Sequence, residues 1–521
     1  MFEDHSFFGL ARTGILEDGS KYPLMLNSKA GQISKKDGIL RILSDEIDLE
    51  RLRKAAVPDG MNNGIETDNF VVLTMGLPYL SRPSKFFRYL NNIQSVNGYR
   101  KLLYLPGVSD PYLLPVLVYL GISIFDDIQL RTDSRNGILY STIGYAKSNE
   151  NCEGRNREIV NTELDILSHS IREMTLRNIV ESSVLSATAI ALLRHADRLM
   201  NGSAENIYPV RTGRINAYSQ QSLLRPDIVR YRRYISEEYT TPRPGSLLLL
   251  IPCSARKPYS TSRSHRKIIE AIAPYRKFLH EVILTSPLGL VPRELEDLYP
   301  ASFYDVPVTG DWSVDEKKMM NDLIISFLKR NEYSEVLAFV PEEYSFISET
   351  VEEKSIMIGR YDRDQDIQNL RIAVRERIDR SGISPRWKRY SDIVSKIRFQ
   401  FGSWFPDISD SIRIVRNYNL NQIVLDGKVN FVVVPDLGKL TITKHSAHFF
   451  TEAGRNLVEI DDFKPTSNIY AVGVETASQD VAQESEVVVH HSGEVRAVGI
   501  AKMPARAMIE LSKGVAVKVR N

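Results

Sequence analysis

Short apolar runs alternate with amphipathic segments in the central part of the chain, which is the pattern of alternating strands and helices. Three runs have the length of buried parallel strands: residues 247–251, 281–285 and 335–340. Helical periodicity follows the first two, at residues 266–272 and 314–330. Since this order favours parallel pairing, we predict a three-layer α/β core over residues 241–384.

A similar alternation occurs over residues 1–240. Strands are predicted at 70–75, 101–105 and 121–125. Helices are predicted at 86–93, 115–120 and 158–200. The order is compatible with either a (β/α) barrel or a doubly wound sheet.

Two smaller modules follow the central core. Residues 385–440 predict a small α+β module with a basic helix at 387–401, and residues 441–521 are β-rich. Strands of that last module are predicted at 486–489, 495–501 and 514–520. We therefore expect an α/β multidomain protein that ends in a compact β-barrel.

Composition narrows the class of protein. The 521 residues are 43% hydrophobic and 25% charged, as in soluble globular proteins. Apolar runs of about 18 residues and a signal-peptide pattern are both missing from the sequence, so we expect a cytoplasmic protein without a membrane span. Two cysteines, Cys152 and Cys253, are too few for a disulfide framework or a four-thiolate metal site. We expect neither a metal nor a cofactor.

Positive charge is concentrated around the start of the central core. Residues 211–276 contain thirteen Arg and Lys against four acids, a net charge of +9, with tyrosines interspersed. Basic side chains neutralise phosphates and aromatic rings stack on unpaired bases, so this stretch suits an anionic polymer; the alternative is a solvated surface. Candidate RNA-binding residues here are Arg230, Arg232, Arg233 and Arg256.

A polar loop with several reactive side chains follows the first central strand. Open α/β sheets bind ligands at the carboxyl ends of their strands. The candidate catalytic residues of this loop are Cys253, Lys257, Tyr259 and His265, and its candidate binding residues are Ser254 and Ser262. Two alternatives remain open: Cys253 as a buried structural thiol, and Ser262 as a helix cap.

A proline-rich loop at residues 286–312 leaves the second central strand. Loops this long in compact domains are usually functional or disordered, and the prolines favour order. Because it also leaves the carboxyl end of a strand, we expect it to face the Cys253 loop. Candidate binding residues are Ser286, Pro287, Gly289, Arg293, Glu294, Thr309, Gly310 and Asp311, and Asp305 is a further catalytic candidate. For the charged residues, salt bridges or helix caps are the alternative.

The first loop carries a motif with fixed spacing. Pro252-Cys253, Lys257-Pro258-Tyr259, Ser262 and His265 resemble the signature of the archaeosine synthase family, which is related to transglycosylases and acts on archaeal tRNA. Ser286-Pro287-Leu288-Gly289 and the eight residues from Asp305 to Trp312, including Val308, resemble the same family.

The two ends of the chain extend the resemblance. Asp461-Asp462-Phe463 and the strand at 514–520 look like a PUA domain, for which Lys513, Lys518 and Arg520 are candidate RNA-binding residues. Bulk charge does not predict RNA binding there, because residues 445–521 carry eight Arg and Lys against ten acids. The N-terminal part, from Gly9-Leu10-Ala11-Arg12, is similar to a degenerate tRNA-guanine transglycosylase barrel. It departs from that barrel in lacking Asp-Ser-Gly and clustered cysteines, which argues against base exchange.

The resemblance implies a substrate and partners. The substrate would be tRNA carrying 7-cyano-7-deazaguanine in its D-arm, to whose nitrile the enzyme joins the side-chain amine of free lysine. A separate radical S-adenosylmethionine enzyme would convert the amidine-linked adduct to archaeosine. Glutamine or ammonia remains an alternative donor, and homo-oligomerisation is compatible with the family.

Nitrile chemistry suggests roles for the loop residues. We hypothesise that Cys253 attacks the nitrile to give a thioimidate, which lysine then displaces. Lys257 or His265 would lower the thiol pKa, and Tyr259 or His265 would protonate the nitrogen. Carboxylates at 294, 305 and 311 would bind the lysine ammonium, and Arg293 its carboxylate. True base exchange and a non-catalytic tRNA-binding scaffold are the competing functions.

Overall fold

The chain folds into two compact units, and one of them combines the two ends of the sequence. The computed structural model describes residues 2–55, 64–141, 143–202, 204–307, 309–417 and 420–520. One unit combines Met1–Gly213 with Gly454–Asn521, and the other is Arg214–Ala453. The boundaries expected at 240, 384 and 440 are therefore not where the contacts separate.

The N-terminal segment contains strands and helices in alternation. Its strands are β1 (Phe2–Phe8), β2 (Ala11–Leu16), β3 (Lys21–Tyr22), β4 (Leu24–Leu26), β5 (Ile33–Lys36), β6 (Ile39–Ile42), β7 (Asp45–Asp48), β8 (Ile65–Glu66), β9 (Phe70–Val72), β10 (Leu102–Tyr104), β11 (Ile122–Asp126), β12 (Ile138–Tyr140) and β13 (Tyr145–Lys147). Its helices are α1 (Leu49–Ala55), α2 (Gly76–Leu80), α3 (Pro83–Asn97), α4 (Leu114–Tyr119), α5 (Ile128–Arg135), α6 (Glu153–Arg172), α7 (Leu176–Ser183) and α8 (Ala187–Met200).

A five-stranded sheet in the order β4-β11-β10-β9-β8 forms the centre of this segment. β4, β11, β10 and β9 pair in parallel, and β8 pairs antiparallel with β9. In the described residues the sheet has two edge strands, so it is an open sheet instead of the closed barrel that the resemblance suggested. The predicted strands at 101–105 and 121–125 are confirmed, and the one predicted at 70–75 ends at Val72.

The helix predicted over residues 158–200 is wrong as a single element. α6, α7 and α8 replace it, because Met174 takes a positive φ of 60° after α6 and Ser186 caps a new helix with its hydroxyl. The apolar periodicity continues through both interruptions since all three helices pack on one core, with Val160, Leu176 and Leu192 buried in it.

The central unit follows the predicted order. Its strands are β14 (Ile215–Asn216), β15 (Ser246–Pro252), β16 (Leu279–Thr285), β17 (Gly289–Pro292), β18 (Tyr304–Asp305), β19 (Tyr333–Val340), β20 (Ile356–Ile358), β21 (Ile412–Asn417), β22 (Leu420–Leu425), β23 (Lys428–Val434) and β24 (Lys439–Ile442). Its helices are α9 (Pro226–Arg233), α10 (Arg263–Ile272), α11 (Val314–Arg330), α12 (Asp364–Ser381), α13 (Ser391–Phe401) and α14 (Ala447–Ala453). The helix predicted at 387–401 thus begins four residues later, at Ser391.

The central sheet has the order β17-β16-β15-β19-β20. β15 pairs in parallel with β16 on one side and β19 on the other. The chain therefore crosses in opposite directions after β15 and after β16, and right-handed crossovers place α10 and α11 on opposite faces. The loops after these two strands diverge at their carboxyl ends, which creates the crevice where such sheets bind ligands.

The C-terminal segment is a β-rich module. Its elements are β25 (Leu457–Ile460), β26 (Asn468–Tyr470), β27 (Val474–Ala477), β28 (Glu486–His491), β29 (Glu494–Ala501), α15 (Ala505–Glu510) and β30 (Val515–Arg520). They form a six-stranded sheet, which confirms the three predicted strands. Phe7 and Tyr99 pack into its core, and Gln483 Nε2 donates to the Phe7 carbonyl at 2.6 Å. The two ends of the chain belong to one unit because they share this core.

Within the described residues, the helices are all too short or too polar to cross a membrane.

Candidate active site

A cavity of about 270 Å³ opens at the carboxyl ends of β15, β16, β19 and β20. Its wall is lined by Pro252, Cys253, Ser264, His265, Ile268, Ser286, Val306, Pro307, Thr309, Gly310, Asp311, Trp312, Glu316, Phe339, Pro341, Glu343, Tyr344, Gly359, Arg360 and Tyr361. Both predicted loops contribute, so the expectation that they face each other is confirmed. Val308 lies outside the described residues.

A backbone hydrogen bond of the central sheet fixes Cys253 directly after the end of β15. Its backbone N–H donates to the Leu284 carbonyl of β16 at 3.1 Å, which continues the parallel ladder by one residue. The thiol is half-buried and faces the cavity, with its Sγ 3.8 Å from the Tyr344 hydroxyl. A cavity-facing thiol next to a phenol is suited to chemistry on a bound ligand, in contrast to the buried Cys152.

His265 is fixed in one tautomer by two neighbours. The Arg293 guanidinium, which can only donate, contacts Nδ1 at 2.9 Å, so Nε2 carries the proton and donates to the Pro252 carbonyl at 3.0 Å. Burial and the Arg293 charge lower the pKa of His265 to about 3. Both ring nitrogens are occupied, so the imidazole positions the Cys253 loop and has no proton to give the cavity.

The Arg293 guanidinium makes its hydrogen bonds to three side chains of the protein interior. It donates to Glu281 at 2.9 Å and to Glu296 at 2.7 Å, as well as to His265. Glu296 in turn accepts from the backbone N–H of Ser260 at 3.0 Å. The side chain is 12% exposed, so the structure favours the salt-bridge alternative over binding of a ligand carboxylate.

Lys257 and Tyr259 lie beside the cavity wall. Lys257 Nζ sits 4.0 Å from the centre of the Tyr304 ring, and burial lowers the pKa of this amine, although the nearby Cys253 and Asp305 oppose the shift. The Tyr259 hydroxyl is buried against that of Tyr304 at 2.6 Å, and burial raises its pKa well above the usual value. Tyr304 also bonds Thr285, so the Tyr259 proton is part of an internal chain of hydroxyls.

Four of the nine candidates from the second loop reach the cavity: Ser286, Thr309, Gly310 and Asp311. The Ser286 hydroxyl donates to Glu316, whose other oxygen accepts from Ser313 at 2.7 Å as part of a capping box on α11. This bond explains how a helix-capping glutamate comes to lie in the cavity wall.

The other candidates from this loop lie outside the cavity lining and contact residues of the fold. Pro287 is buried, and Gly289 leaves no room for a side chain, since a Cβ there would lie 2.2 Å from Leu323 of α11. The Asp305 carboxylate accepts from Tyr218 at 3.3 Å and pairs with Arg214 at 3.5 Å. The structure therefore places Asp305 beside Lys257, outside the cavity lining.

Glu294 belongs to a buried polar cluster away from the cavity. It accepts from Tyr239 at 2.6 Å, from Ser395 at 3.1 Å and from His280 at 3.2 Å. Burial favours its neutral form, but the His280 charge and these hydrogen bonds outweigh burial and lower the pKa of Glu294. The cluster joins helix α13 to the central sheet, which is a structural role.

The two candidate serines of the first loop make local bonds. Ser262 is the N-cap of α10 and accepts from the His265 N–H at 3.2 Å, and its hydroxyl lies 3.1 Å from Ser264. Ser254 donates to the Arg256 carbonyl at 3.1 Å. Ser264, which the sequence interpretation did not select, is the serine that lines the cavity.

Several lining residues were missed from the sequence. Tyr344 and Glu343 follow β19, and Arg360 and Tyr361 follow β20. The polar stretch after Pro341 was a usable signal, because it also leaves the carboxyl end of a strand. β20 has only three residues, so the segment after it gave no comparable signal.

The candidate RNA-binding residues differ in exposure. Arg256, Lys513 and Lys518 are exposed. Arg232 is half-buried and donates to the Leu223 carbonyl, and burial lowers its pKa to about 10. Arg230 and Arg233 of α9 are half-buried, and Arg520 is paired bidentately with Glu486. Among the described residues, no group of three His, Cys, Asp or Glu side chains has a metal-binding arrangement.

Known proteins resemble this chain over its whole length. Residues 228–371 match a domain of unknown function (DUF5591), and residues 463–521 match the PUA domain, which confirms the predicted C-terminal module. Archaeosine synthase subunit alpha of Thermoplasma acidophilum is 44% identical over 521 residues and all of both chains. That of Methanosarcina acetivorans is 31% identical over 465 residues, 80% of this chain and 74% of its own.

A more distant relative carries a transglycosylase name. The tRNA-guanine(15) transglycosylase of Methanobrevibacter smithii is 24% identical over 328 residues, 58% of this chain and 44% of its own. The resemblance expected from the Cys253 motif agrees with the full-length identity to the Thermoplasma protein. This chain belongs to the archaeosine synthase family.

Proposed function

We propose that this protein modifies tRNA by adding the side-chain amine of free lysine to the nitrile of 7-cyano-7-deazaguanine in the D-arm. The product is an amidine-linked adduct, which a radical S-adenosylmethionine partner converts to archaeosine. The observation that carries this proposal is the Cys253 thiol facing a cavity lined by both carboxylates and a guanidinium. The names of the relatives, which include archaeosine synthases and a tRNA-guanine transglycosylase, support tRNA as the substrate class.

The cavity has the size and charge that an amino acid requires. Its volume of about 270 Å³ is near the lower end of ligand pockets, which hold about 300–1,000 Å³. Asp311 and Glu343 offer carboxylates for ammonium groups, whereas both oxygens of Glu316 already accept from Ser286 and Ser313; Arg360 offers a guanidinium for a carboxylate. Arg360 pairs with Asp362 at 2.9 Å on the exposed side of the cavity, so a ligand carboxylate that displaces Asp362 would make the contact proposed from sequence for the buried Arg293.

Cys253 acts as the nucleophile in this proposal. Its sulfur adds to the nitrile carbon to give a thioimidate, and the lysine amine then adds to that carbon and displaces the thiol. Lys257 lies close enough to influence the thiol electrostatically, and His265 with Arg293 holds the loop that carries it. The tRNA is bound by the PUA domain and by exposed basic residues, namely Arg256, Lys513 and Lys518.

Nucleoside mass spectrometry tests the function. tRNA bearing 7-cyano-7-deazaguanine is incubated with the protein and lysine, with ammonium and glutamine in parallel. We expect a mass increase of one whole lysine with lysine alone. A mass increase with ammonium or glutamine instead would identify that compound as the donor. Tight tRNA binding without any mass increase would favour a non-catalytic tRNA-binding scaffold.

A variant at Cys253 tests the nucleophile separately. Cys253→Ser keeps the size of the side chain and loses the thiolate, so adduct formation should stop while tRNA binding persists. Intact-mass analysis of wild-type protein stalled without lysine should detect tRNA-linked protein. Full activity of the serine variant together with no linked species in wild type would refute covalent catalysis.

A further inference from the structure

Tyr344 lines the cavity, and its hydroxyl contacts the Cys253 thiol. Its oxygen lies 3.8 Å from Cys253 Sγ, and either atom can donate in this contact. The same hydroxyl also donates to the Leu284 carbonyl at 3.5 Å. Since a phenol proton rotates about its C–O bond, Tyr344 can turn its proton to Leu284 and accept from the thiol, or turn it towards the cavity.

The proton donors suggested by the sequence are occupied elsewhere. His265 donates to Pro252 and accepts from Arg293, and the Tyr259 hydroxyl bonds Tyr304. Neither has an unengaged proton directed at the sulfur. Tyr344 therefore replaces His265 and Tyr259 as the candidate proton donor beside the Cys253 sulfur.

Packing holds the Tyr344 ring in position. The ring is 7% exposed and meets Trp312 edge to face, with centroids 5.0 Å apart. Trp312 also lines the cavity, so the phenol is supported from the loop that follows β18. Burial and the neighbouring Cys253 raise the pKa of Tyr344 well above its usual value, which disfavours a free phenolate and favours a phenol that gains one proton as it gives up another.

We propose that Tyr344 is a catalytic residue that relays a proton between the Cys253 sulfur and the nitrile nitrogen. This inference rests on the proposed function, because it assumes that the thiol adds to the nitrile. As the carbon–sulfur bond forms, one π bond of the nitrile becomes the nitrogen lone pair that accepts the phenol proton, and the phenol oxygen takes the thiol proton. Thiol and nitrile thus become a thioimidate with no net change at Tyr344.

The second half of the reaction uses the same relay in reverse. The lysine amine forms a bond to the thioimidate carbon, the carbon–sulfur bond breaks, and the electron pair leaves on sulfur. A proton lost by the amine reaches the departing sulfur through the phenol. The products are the amidine and the free thiol, so no oxidant, reductant or external base is consumed.

The test compares two conservative variants in single-turnover reactions with saturating tRNA and lysine. Tyr344→Phe keeps the ring against Trp312 and removes the hydroxyl. We expect the rate of adduct formation to fall about 100-fold, the lower limit for a lost general acid–base group, with little change in tRNA affinity. Tyr275→Phe removes a half-buried phenol outside the cavity lining and should change the rate less than about 3-fold, since the lost group takes no part in proton transfer.

A second measurement separates proton transfer from a structural effect. Two protons in flight give a curved dependence of rate on the deuterium fraction of the solvent, and Tyr344→Phe should make that dependence linear. Wild-type rate in Tyr344→Phe, or a linear dependence in wild type, would overturn the relay while leaving lysine addition intact. If wild-type protein forms no adduct, the proposed function fails and the relay with it. If Cys253→Ser retains full activity, lysine addition stands, and the relay fails together with the nucleophile.

Discussion

Nη2 of Arg293 donates a hydrogen bond of 2.9 Å to Nδ1 of His265, and this contact determines which ring nitrogen carries the proton. A cation as donor excludes a second proton on Nδ1, so the buried imidazole stays neutral. The bond from Nε2 to the Pro252 carbonyl then ties helix α10 to the residue before Cys253. The geometry of the thiol loop therefore depends on an uncharged histidine.

Stability should depend on pH through His265. Its pKa is lowered from 6.5 to about 3 in the folded protein, so between these values the unfolded chain binds a proton that the folded chain does not. The free energy of unfolding should decrease as pH falls through this window, by up to about 1.4 kcal/mol per pH unit. Urea unfolding of wild type and His265→Gln measures the difference, because glutamine can make both hydrogen bonds without binding a proton.

Carboxylates also titrate in that window, so the comparison needs a control. His448 is exposed, and His448→Gln should keep the wild-type pH dependence. Parallel curves for wild type and His265→Gln would contradict the neutral buried histidine.

Glu343 should contribute to donor binding. It lines the cavity, whereas the adjacent Glu342 does not belong to the lining described here. Because a hydrogen bond to a charged group contributes about 1.5–3 kcal/mol, Glu343→Gln should raise the KM for lysine at least about 10-fold, with little effect on tRNA affinity. Steady-state kinetics with Glu342→Gln as the matched control checks this, and equal KM values for both variants would remove Glu343 from the donor site.

The buried ion pair of Arg177 and Asp197 should be important for stability. Their side chains are 0% and 2% exposed, and Nη2 and Oδ2 are 2.7 Å apart. Arg177→Met leaves a buried carboxylate without its main partner and should lower the free energy of unfolding by about 3–5 kcal/mol. Lys318→Met breaks an exposed pair with Asp322 and should cost less than about 1 kcal/mol, as denaturant titration can show.

Gly289 should not tolerate a side chain. Its φ is 82°, and a Cβ would lie 2.2 Å from Leu323 Cδ1, so Gly289→Ala combines backbone strain with overpacking. We expect a loss of about 2–4 kcal/mol in the free energy of unfolding. Gly427 has a similar φ of 73° and open space around it, so Gly427→Ala isolates the strain alone. Equal losses in the two variants would show that packing against Leu323 has no effect.

Unpaired basic residues should dominate tRNA binding. Arg256 and Lys518 are exposed, whereas the Arg520 charge is already paired with Glu486. Arg256→Ala and Lys518→Ala should each reduce the slope of log affinity against log salt by about 1, and Arg520→Ala by less. Filter binding over a salt series measures the slopes. A larger effect of Arg520→Ala would mean that its pair with Glu486 opens on the RNA.

The sequence predicted the central fold well because burial on both faces leaves continuous apolar runs. It also brought Cys253, Ser286 and Asp311 together, since the loops that leave the carboxyl ends of neighbouring parallel strands border the same crevice. Side-chain direction within those loops could not be predicted. Arg293 and Glu294 are consecutive polar residues in one loop, yet one bonds His265 and the other belongs to the cluster around His280.

Long-range pairing limited the remaining predictions. Residues Ile215–Asn216 pair with Tyr304–Asp305, which assigns the segment after 213 to the central unit. Phe7 and Tyr99 are ordinary apolar residues of the N-terminal segment, and their partners lie some 400 residues later. Local periodicity holds no information about contacts at that separation.

The interruption of one unit by the other has a consequence for synthesis on the ribosome. Arg214–Ala453 is continuous and can fold once it has emerged. The unit that the first 213 residues begin is completed only by the last strands of the chain, although the core around Val71 and Leu103 needs no residue after 213. Phe7 and Tyr99 stay without their final packing partners throughout that interval. The apolar residues that the C-terminal module covers therefore need protection from aggregation while the chain is being made, and a premature stop codon near the end of the message would leave them exposed.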